Sequence, residues 1–327
     1  MEEGFRLWAN PSSPHAEGRK ARALLEDARE RIKAALGWDG ELIFTSGASE
    51  ALWIALNRTM VERRIVSAIE HDAVLRGAPD AAILPVVDGR IDTDALASLL
   101  QLGGTAVVAV QSINSETGTW QFPLINDPGV QMTRSAGSLL LRDCSQSAGE
   151  GRLPDGDLLV VSAHKMGGPI GIGALLLKDY ALLEPDGGHE RGYRQGTENL
   201  PGALAMAAAL EAGGYGGWAT SLEQRLDFRN ALHCHSSIIE PATQCAHIFA
   251  IAHPAMSARA LLIRLDAMGF AVSAGSACSS GTLKKSRVLE AFGVPDDVAA
   301  RTIRVSLGWN TTPDELEAFV EAWASLC

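Results

Sequence analysis

Residues 158–169 decide the fold, and they read Leu158-Leu159-Val160-Val161-Ser162-Ala163-His164-Lys165-Met166-Gly167-Gly168-Pro169. The first four side chains are apolar, without the alternation that a strand with one wet face shows. Such a run is typical of a strand covered on both faces, as in parallel sheets. The run leads within three residues to Lys165 and a Gly-Gly-Pro turn, so an ionisable side chain follows a predicted buried strand.

Similar strands alternate with helices over the first 200 residues. Strands are predicted at residues 42–45, 65–69, 83–87, 106–110, 138–141, 158–162 and 172–177. Amphipathic helices are predicted between several of them, for example at residues 16–36 and 92–100. This alternation indicates an α/β fold with a large, doubly wound, mostly parallel sheet.

The pattern changes after residue 200. Helices are predicted at residues 204–212, 222–232, 257–268 and 312–326, and strands at 246–252, 270–273 and 302–307. Mixed strands and helices indicate a smaller α+β domain. We therefore predict a short N-terminal segment (1–9), a large domain (10–205) and a small C-terminal domain (206–327).

Composition excludes several classes of partner. The chain has 327 residues, 46% of them hydrophobic, and a formal net charge of −11. An acidic chain has no general attraction to nucleic acid or to anionic membranes, so neither partner is expected. No apolar run reaches membrane-spanning length and no signal pattern opens the chain, so we expect a cytoplasmic protein. Five cysteines, an odd number, favour thiols over a disulfide scaffold.

The first candidate site residues follow predicted strands, because ligands in open α/β sheets bind beyond the carboxyl ends of strands. Residues 46–49 (Ser-Gly-Ala-Ser) open a helix and offer a phosphate cradle, although an ordinary helix cap is the alternative. Lys165 suits a Schiff-base nucleophile if burial lowers its pKa, and the alternative is a solvent-facing lysine. Asp143 could pair with a protonated pyridine nitrogen, or could be a solvated loop acid.

Three more residues have side chains suited to chemistry. His71 follows a predicted strand and could stack on a planar cofactor or move protons, or be structural. Cys278 lies among small residues at 273–281, which favours an accessible thiol over a core cysteine. Arg304 lies on an alternating strand, opposite in direction to Ile303 and Val305, and a rigid guanidinium suits a substrate carboxylate.

One further cluster suits zinc by residue type but not by spacing. It comprises His233, Cys234, His235, Cys245 and His247. The spacing matches no standard zinc finger, so no metal site is predicted.

In combination these motifs are far more specific than any one alone. They read NPSSPH (10–15), FTSGASE (44–50), EHDAVL (70–75), ETGTWQ (116–121), QSAG (146–149), SAHK (162–165), ERGYRQGTEN (190–199), GSACSSG (275–281) and IRVSLG (303–308). In this order the chain resembles the cysteine desulfurases of the NifS-like group, within the class V, fold-type I aminotransferase superfamily. The resemblance covers nearly the whole chain.

The resemblance implies a fold-type I transferase that binds pyridoxal 5'-phosphate. Lys165 would hold the cofactor as a Schiff base, Asp143 would pair with its ring nitrogen, and Gln146 with its ring hydroxyl. His71 would stack on the ring. The phosphate would be held by Ala48, Ser49, Ser162 and His164, and by Thr197 from the other subunit of a homodimer. Ser115 stands where the family often has an asparagine that contacts cofactor or substrate.

The resemblance also implies the reaction. Arg304 would bind the carboxylate of L-cysteine, and Cys278 would take its sulfur as a persulfide, leaving L-alanine. The sulfur would pass to an acceptor protein such as an iron–sulfur scaffold, or to a thiolation partner. Two alternatives remain: an aminotransferase or lyase in which Cys278 is incidental, and a catalytically impaired paralogue. The second is raised because the family's usual N-terminal segment is expected to be missing before Asn10.

Overall fold

The computed structural model describes residues 1–121, 128–149, 151–213, 217–275 and 285–327. Its largest sheet has seven strands in the order β1-β9-β8-β7-β6-β2-β3. These strands are β1 (Glu41–Thr45), β2 (Arg63–Ser67), β3 (Ala82–Leu84), β6 (Ala106–Ala109), β7 (Leu139–Asp143), β8 (Leu158–Ser162) and β9 (Gly173–Leu177). All neighbours pair in parallel except β9, which is antiparallel to β1 and β8. The predicted mostly parallel sheet is therefore confirmed.

Both faces of this sheet are buried, as the apolar strands predicted. In β8, Leu159 and Val161 pack into one core cluster, whereas Leu158 and Val160 pack into the other. Helices α2 (Ala16–Leu36) and α7 (Leu200–Ala212) cover the first face. Helices α3 (Ala48–Arg58) and α4 (Asp72–Gly77) cover the second. The remaining α-helices in the described residues before 200 are α1 (Glu2–Arg6), α5 (Thr93–Leu100) and α6 (Pro128–Ser135).

A second core lies in the C-terminal part of the chain. It forms around an antiparallel sheet of β10 (Ser237–Ile238), β11 (Ile248–Ala252) and β12 (Thr302–Ser306). The helices are α8 (Leu222–His233), α9 (Ala258–Ala267), α10 (Arg287–Ala291), α11 (Asp296–Ala299) and α12 (Pro313–Leu326). The division after residue 205 stays a prediction. It falls within α7, where Met206 and Leu210 still pack in the first core.

Two predicted strands differ from the structure. The strand predicted at residues 83–87 is interrupted at Pro85, whose nitrogen has no hydrogen to donate to a ladder. Its second half becomes β4 (Val86–Val87), which forms a hairpin with β5 (Arg90–Ile91). The strand predicted at residues 270–273 is wrong, because only Ser273 forms a bridge there, to Arg304.

The described residues also bear on membrane insertion, metal binding and disulfides. None of their helices combines the length and apolarity that crossing a bilayer requires. Within those same ranges, no group of three or more His, Cys, Asp or Glu side chains is placed to hold a metal ion. The four cysteines that the structure describes form no disulfide with one another.

Candidate active site

A cavity of about 490 Å³ lies beyond the carboxyl ends of the parallel strands. Ten of the twelve residues predicted for the site line it: Ala48, Ser49, His71, Ser115, Asp143, Gln146, Ser162, His164, Lys165 and Arg304. They come from six separate parts of the sequence. The ends of β7 and β8, and the segments after β1, β2, β6, β7 and β8, bring nine of them together, and the middle of β12 contributes Arg304.

Lys165 ends a single 3-10 turn, Ala163–Lys165, that directly follows β8. The turn is closed on itself, because the N–H groups of Met166 and Gly168 both donate to the carbonyl of Ala163, at 3.1 and 2.9 Å. The sequence left two alternatives open for Lys165, a buried amine and a solvent-facing lysine. In the structure the residue is exposed at the cavity wall, in agreement with the second. The Lys165 side chain is therefore accessible to a ligand in the cavity.

The N-terminus of α3 forms another wall. Gly47 is the N-cap residue, and among the described residues no side chain caps this helix. The N–H of Ser46 donates to Glu50 Oε2 at 2.5 Å, and the first residues of the helix, Ala48 and Ser49, line the cavity. Such a helix end attracts anions through its N–H groups and its dipole.

Ser162 and His164 stand beside that helix end. Ser162 Oγ and His164 Nδ1 lie 3.0 Å apart, within hydrogen-bond distance. Partial burial, and secondarily the positive charge of Lys165, lower the pKa of His164. A neutral His164 imidazole can offer a ring N–H to an anion without carrying a fixed charge.

Asp143 ends β7 and is half-buried at the cavity floor. Its Oδ1 accepts a hydrogen bond from the N–H of Ser145 at 2.9 Å, and its backbone carbonyl accepts one from Ser112 at 2.9 Å. These bonds fix the carboxylate at the strand end. Gln146 lies in the turn that follows and lines the same cavity.

His71 is the N-cap of α4, and its ring faces the same cavity. Its Nδ1 accepts a hydrogen bond from the N–H of Ala73 at 3.1 Å. A neutral imidazole whose Nδ1 accepts a bond carries its proton on Nε2. His71 is thus poised to donate from Nε2, and it can accept a proton at Nδ1 only by giving up the cap.

Glu70 also lines the cavity, although the sequence argument gave it no role. The residue is 1% exposed, and its Oε1 accepts a hydrogen bond from the N–H of Gln111 at 2.8 Å. Its Oε2 is buried without a hydrogen-bond partner among the described residues. Burial, reinforced by the negative charge of Asp143, raises the pKa of Glu70 to about 8. Its position beside His71 was the available signal in the sequence.

Arg304 extends from β12 to the loop after β6 that carries Ser115. Its Nη1 donates to the carbonyl of Ser115 at 3.0 Å, and its Nη2 donates to Ser273 Oγ at 3.2 Å. Ile303 and Val305 are buried in the small core, so the predicted alternation of this strand is confirmed. The guanidinium therefore links β12 to the Ser115 loop and to Ser273.

Two predicted residues remain. Thr197 is exposed and is not among the residues that line this cavity, and its expected role toward another subunit stays a prediction. Its segment follows a turn anchored by a buried ion pair, in which Arg29 donates to both carboxylate oxygens of Glu190 at 2.8 and 3.1 Å. Cys278 lies outside the described residues.

Comparison with known proteins agrees with this geometry. The family model of class-V aminotransferases matches residues 2–319. A cysteine desulfurase of Cereibacter sphaeroides is 33% identical, over 96% of this chain and 87% of that protein. One of Bradyrhizobium diazoefficiens is 34% identical, over 96% and 86%. The crystal structure of a NifS-like protein from Rickettsia africae superposes with a TM-score of 0.83 at 25% identity, covering 99% of this chain and 94% of that one. The chain belongs to the class-V aminotransferase family, whose enzymes depend on pyridoxal phosphate, and within that family it is similar to the cysteine desulfurases.

Proposed function

We propose that this protein is a pyridoxal-phosphate-dependent cysteine desulfurase that converts L-cysteine to L-alanine and leaves the sulfur on Cys278 as a persulfide. The main support for this proposal is that one cavity is lined by Lys165, Asp143, the N-terminus of α3 and Arg304. These groups offer an amine, a carboxylate, an anion site and a carboxylate clamp. The relatives named cysteine desulfurases support the same activity.

The cavity fits pyridoxal phosphate in its donor set. The uncapped N-terminus of α3, with Ser162 and His164, would hold the phosphate. Asp143 would face the ring nitrogen and Gln146 the ring hydroxyl, while the exposed Lys165 would supply the amine for the Schiff base. When bound, the cofactor supplies the electron sink for bond breaking at the substrate Cα.

Arg304 would hold the substrate carboxylate. A guanidinium pairs with a carboxylate through two parallel N–H bonds, which fixes orientation as well as position. In the structure those donors bind Ser115 and Ser273, which keeps the side chain extended over the cavity. Ser115 itself offers only a short hydroxyl where the family often has an asparagine. Its carbonyl, which contacts Arg304, does not depend on the side chain.

Cys278 is the best nucleophile candidate because the other cysteines are poorly placed. Cys144 adjoins Asp143 but is fully buried, and burial raises its pKa to about 12. Cys245 is buried in a small separate cluster with Ile113 and Ile248. Cys234 and Cys327 are exposed but line a different groove.

The described residues on either side of Cys278 are attached to the cavity walls. Ser273 bonds to Arg304 through its backbone and its hydroxyl. Ser286 Oγ donates to Glu116 Oε2 at 2.5 Å, and Glu116 lines the cavity. Chain connectivity keeps the Cα of Cys278 within about 11 Å of the Cα of Gly275. This tethering supports delivery of the thiol to the substrate.

The atoms of the proposed transfer balance without an external oxidant. The Cys278 sulfur, as thiolate, forms a bond to the sulfur of L-cysteine, the Cβ–S bond breaks, and the three-carbon fragment takes up protons to leave as L-alanine. An unperturbed thiol of pKa near 8.5 is mostly protonated at neutral pH, so a proton acceptor assists. His71, in the same cavity, is the proposed acceptor.

The testing experiment measures L-alanine release and persulfide on the protein after mixing with L-cysteine. Wild type, Cys278→Ala and Cys234→Ala are compared, the last as a control thiol outside the cavity. We expect one persulfide per chain in wild type and in Cys234→Ala, and none in Cys278→Ala. Keto-acid-dependent turnover that survives in Cys278→Ala would instead establish an aminotransferase. Cofactor binding without any turnover in wild type would establish an impaired paralogue.

We further propose a homodimer in which Thr197 reaches the phosphate of the other subunit. Its exposure outside its own cavity supports this arrangement. Sedimentation equilibrium should give twice the chain mass, and Thr197→Ala should weaken cofactor retention without dissociating the dimer. The persulfide would pass to a thiol of an acceptor protein, such as an iron–sulfur scaffold, in the cytoplasm.

A further inference from the structure

Arg287 joins the segment that follows Cys278 to the end of β2. It is the first residue of α10, a helix whose N-cap is Ser286. Ser286 Oγ accepts from the N–H of Leu289 at 3.0 Å while donating to Glu116 Oε2. The start of α10 is therefore fixed on one wall of the cavity before the Arg287 side chain is considered.

The Arg287 guanidinium reaches a second wall. Its Nη1 donates to the carbonyl of Ala68, and its Nη2 donates to the carbonyl of Glu70 at 2.5 Å. The same Nη2 lies 3.5 Å from Asp72 Oδ1. Glu70 and Asp72 are the residues immediately before and after His71. One guanidinium thus contacts both chain neighbours of this histidine.

This arrangement adds to the bonds that already hold a short piece of backbone, in which the Ala68 N–H donates to the Leu84 carbonyl of β3 and the Gln111 and Asn114 side chains donate to the Ile69 carbonyl. β2 ends at Ser67, and α4 begins at Asp72, so residues 68–71 form the connection that carries His71. Backbone carbonyls that accept from a planar guanidinium are held in both direction and distance. The ring of His71 is additionally fixed by its own bond to Ala73.

We propose that Arg287 is a positioning residue that fixes His71 relative to the helix following the Cys278 segment. Any movement of α10 would carry Arg287 with it, and so would displace the carbonyls on which the placement of His71 depends. The restraint that Arg287 places on the backbone around His71 does not depend on the proposed desulfurase activity. The effect of Arg287 on the rate of persulfide formation rests on that activity.

Arg301 provides a matched control. Its Nη1 also donates to two backbone carbonyls, those of His253 and Pro254, and its Nη2 pairs with Asp297 Oδ2 at 3.0 Å. Arg301 lines a separate groove in the C-terminal part of the chain. Arg301→Ala therefore removes the same types of bond as Arg287→Ala, but leaves the connection at residues 68–71 intact.

The deciding measurement is amide hydrogen exchange, by mass spectrometry, of the peptide spanning residues 68–77 in cofactor-free protein. We expect this peptide to exchange at least about fivefold faster in Arg287→Ala than in wild type, and at the wild-type rate in Arg301→Ala. In Arg287→Lys, which keeps one charged donor group, we expect an intermediate rate. Unchanged exchange of this peptide in Arg287→Ala would overturn the proposal. If the alanine variant does not fold, Arg287→Lys still decides, since unchanged exchange there together with unchanged kinetics would also overturn it.

The kinetic arm distinguishes positioning from general destabilisation. In Arg287→Ala the kcat for persulfide formation should fall about tenfold to a hundredfold, the usual cost of small misplacement, with a KM for L-cysteine within about twofold of wild type. An equal loss in Arg301→Ala would overturn the positioning role. If wild type forms no persulfide, the desulfurase proposal fails, and the exchange measurement alone decides the role of Arg287.

Discussion

Replacement of Glu70 by glutamine removes a buried acid while keeping its shape. The remaining amide oxygen can still accept from the N–H of Gln111, as Oε1 does at 2.8 Å. The folded-state pKa of about 8 lies well above the ordinary value of 4.5. Folding therefore requires Glu70 to hold a proton that the unfolded chain releases above pH 4.5.

The sign of the effect follows from that difference. Because the pKa of Glu70 is raised in the folded state, its contribution to the free energy of unfolding is fully present below pH 4.5. That contribution is lost as the pH rises toward 8. At about 1.36 kcal/mol per pKa unit, the loss reaches at most about 5 kcal/mol at pH 8 and above. Water entry and relaxation reduce this ceiling, and we expect at least about 2 kcal/mol to remain.

Urea unfolding of cofactor-free protein at pH 5, 6.5 and 8.5 measures the prediction, with Glu321→Gln as an exposed control. Glu70→Gln should match wild type at pH 5 and be more stable at pH 8.5, whereas the control should show no such trend. A stability difference between Glu70→Gln and wild type that is the same at all three pH values would refute the reasoning.

Three further substitutions have expected outcomes. Lys165→Ala should abolish the visible absorption of bound cofactor, and a variant that stays yellow would contradict the assignment. Arg304→Ala should weaken L-cysteine binding by about 1.5–3 kcal/mol, seen as a raised KM, and an unchanged KM would count against it as the carboxylate clamp. Glu190→Gln should lower the free energy of unfolding by up to about 3–5 kcal/mol, because it removes the buried counter-ion of Arg29 and leaves only the partly exposed Glu26, and urea midpoints test this.

The sequence predicted the large sheet well because burial on both faces leaves a direct trace in composition. Every side chain of β8 from Leu158 to Val161 is apolar because helices cover both faces, and the structure assigns that strand with the predicted limits. The failure at residues 83–87 has the opposite cause. Those residues are strand-like in propensity, but Pro85 removes a donor and divides them between two sheets.

The candidate site was predictable only where residues adjoin strand ends. Asp143, His71 and Lys165 each follow a strand, and the parallel arrangement brings such ends to one edge. Contacts between segments far apart in the chain could not be predicted from the sequence. Arg287 is separated by 217 residues from the Glu70 carbonyl it binds. For Lys165 the sequence left burial and solvent exposure open, and the tight turn after β8 places the residue exposed at the cavity surface.

The tautomer of His71 determines what its proposed proton transfer costs. While Nδ1 accepts from Ala73, the neutral ring holds its proton on Nε2, and a second proton must displace the cap bond. Side-chain caps of this kind contribute about 1 kcal/mol to a helix, so giving one up costs about that much. That is a small penalty beside the hundredfold or more that general-base assistance supplies. The cap is thus compatible with His71 accepting the thiol proton, and it returns the ring to one orientation after each transfer.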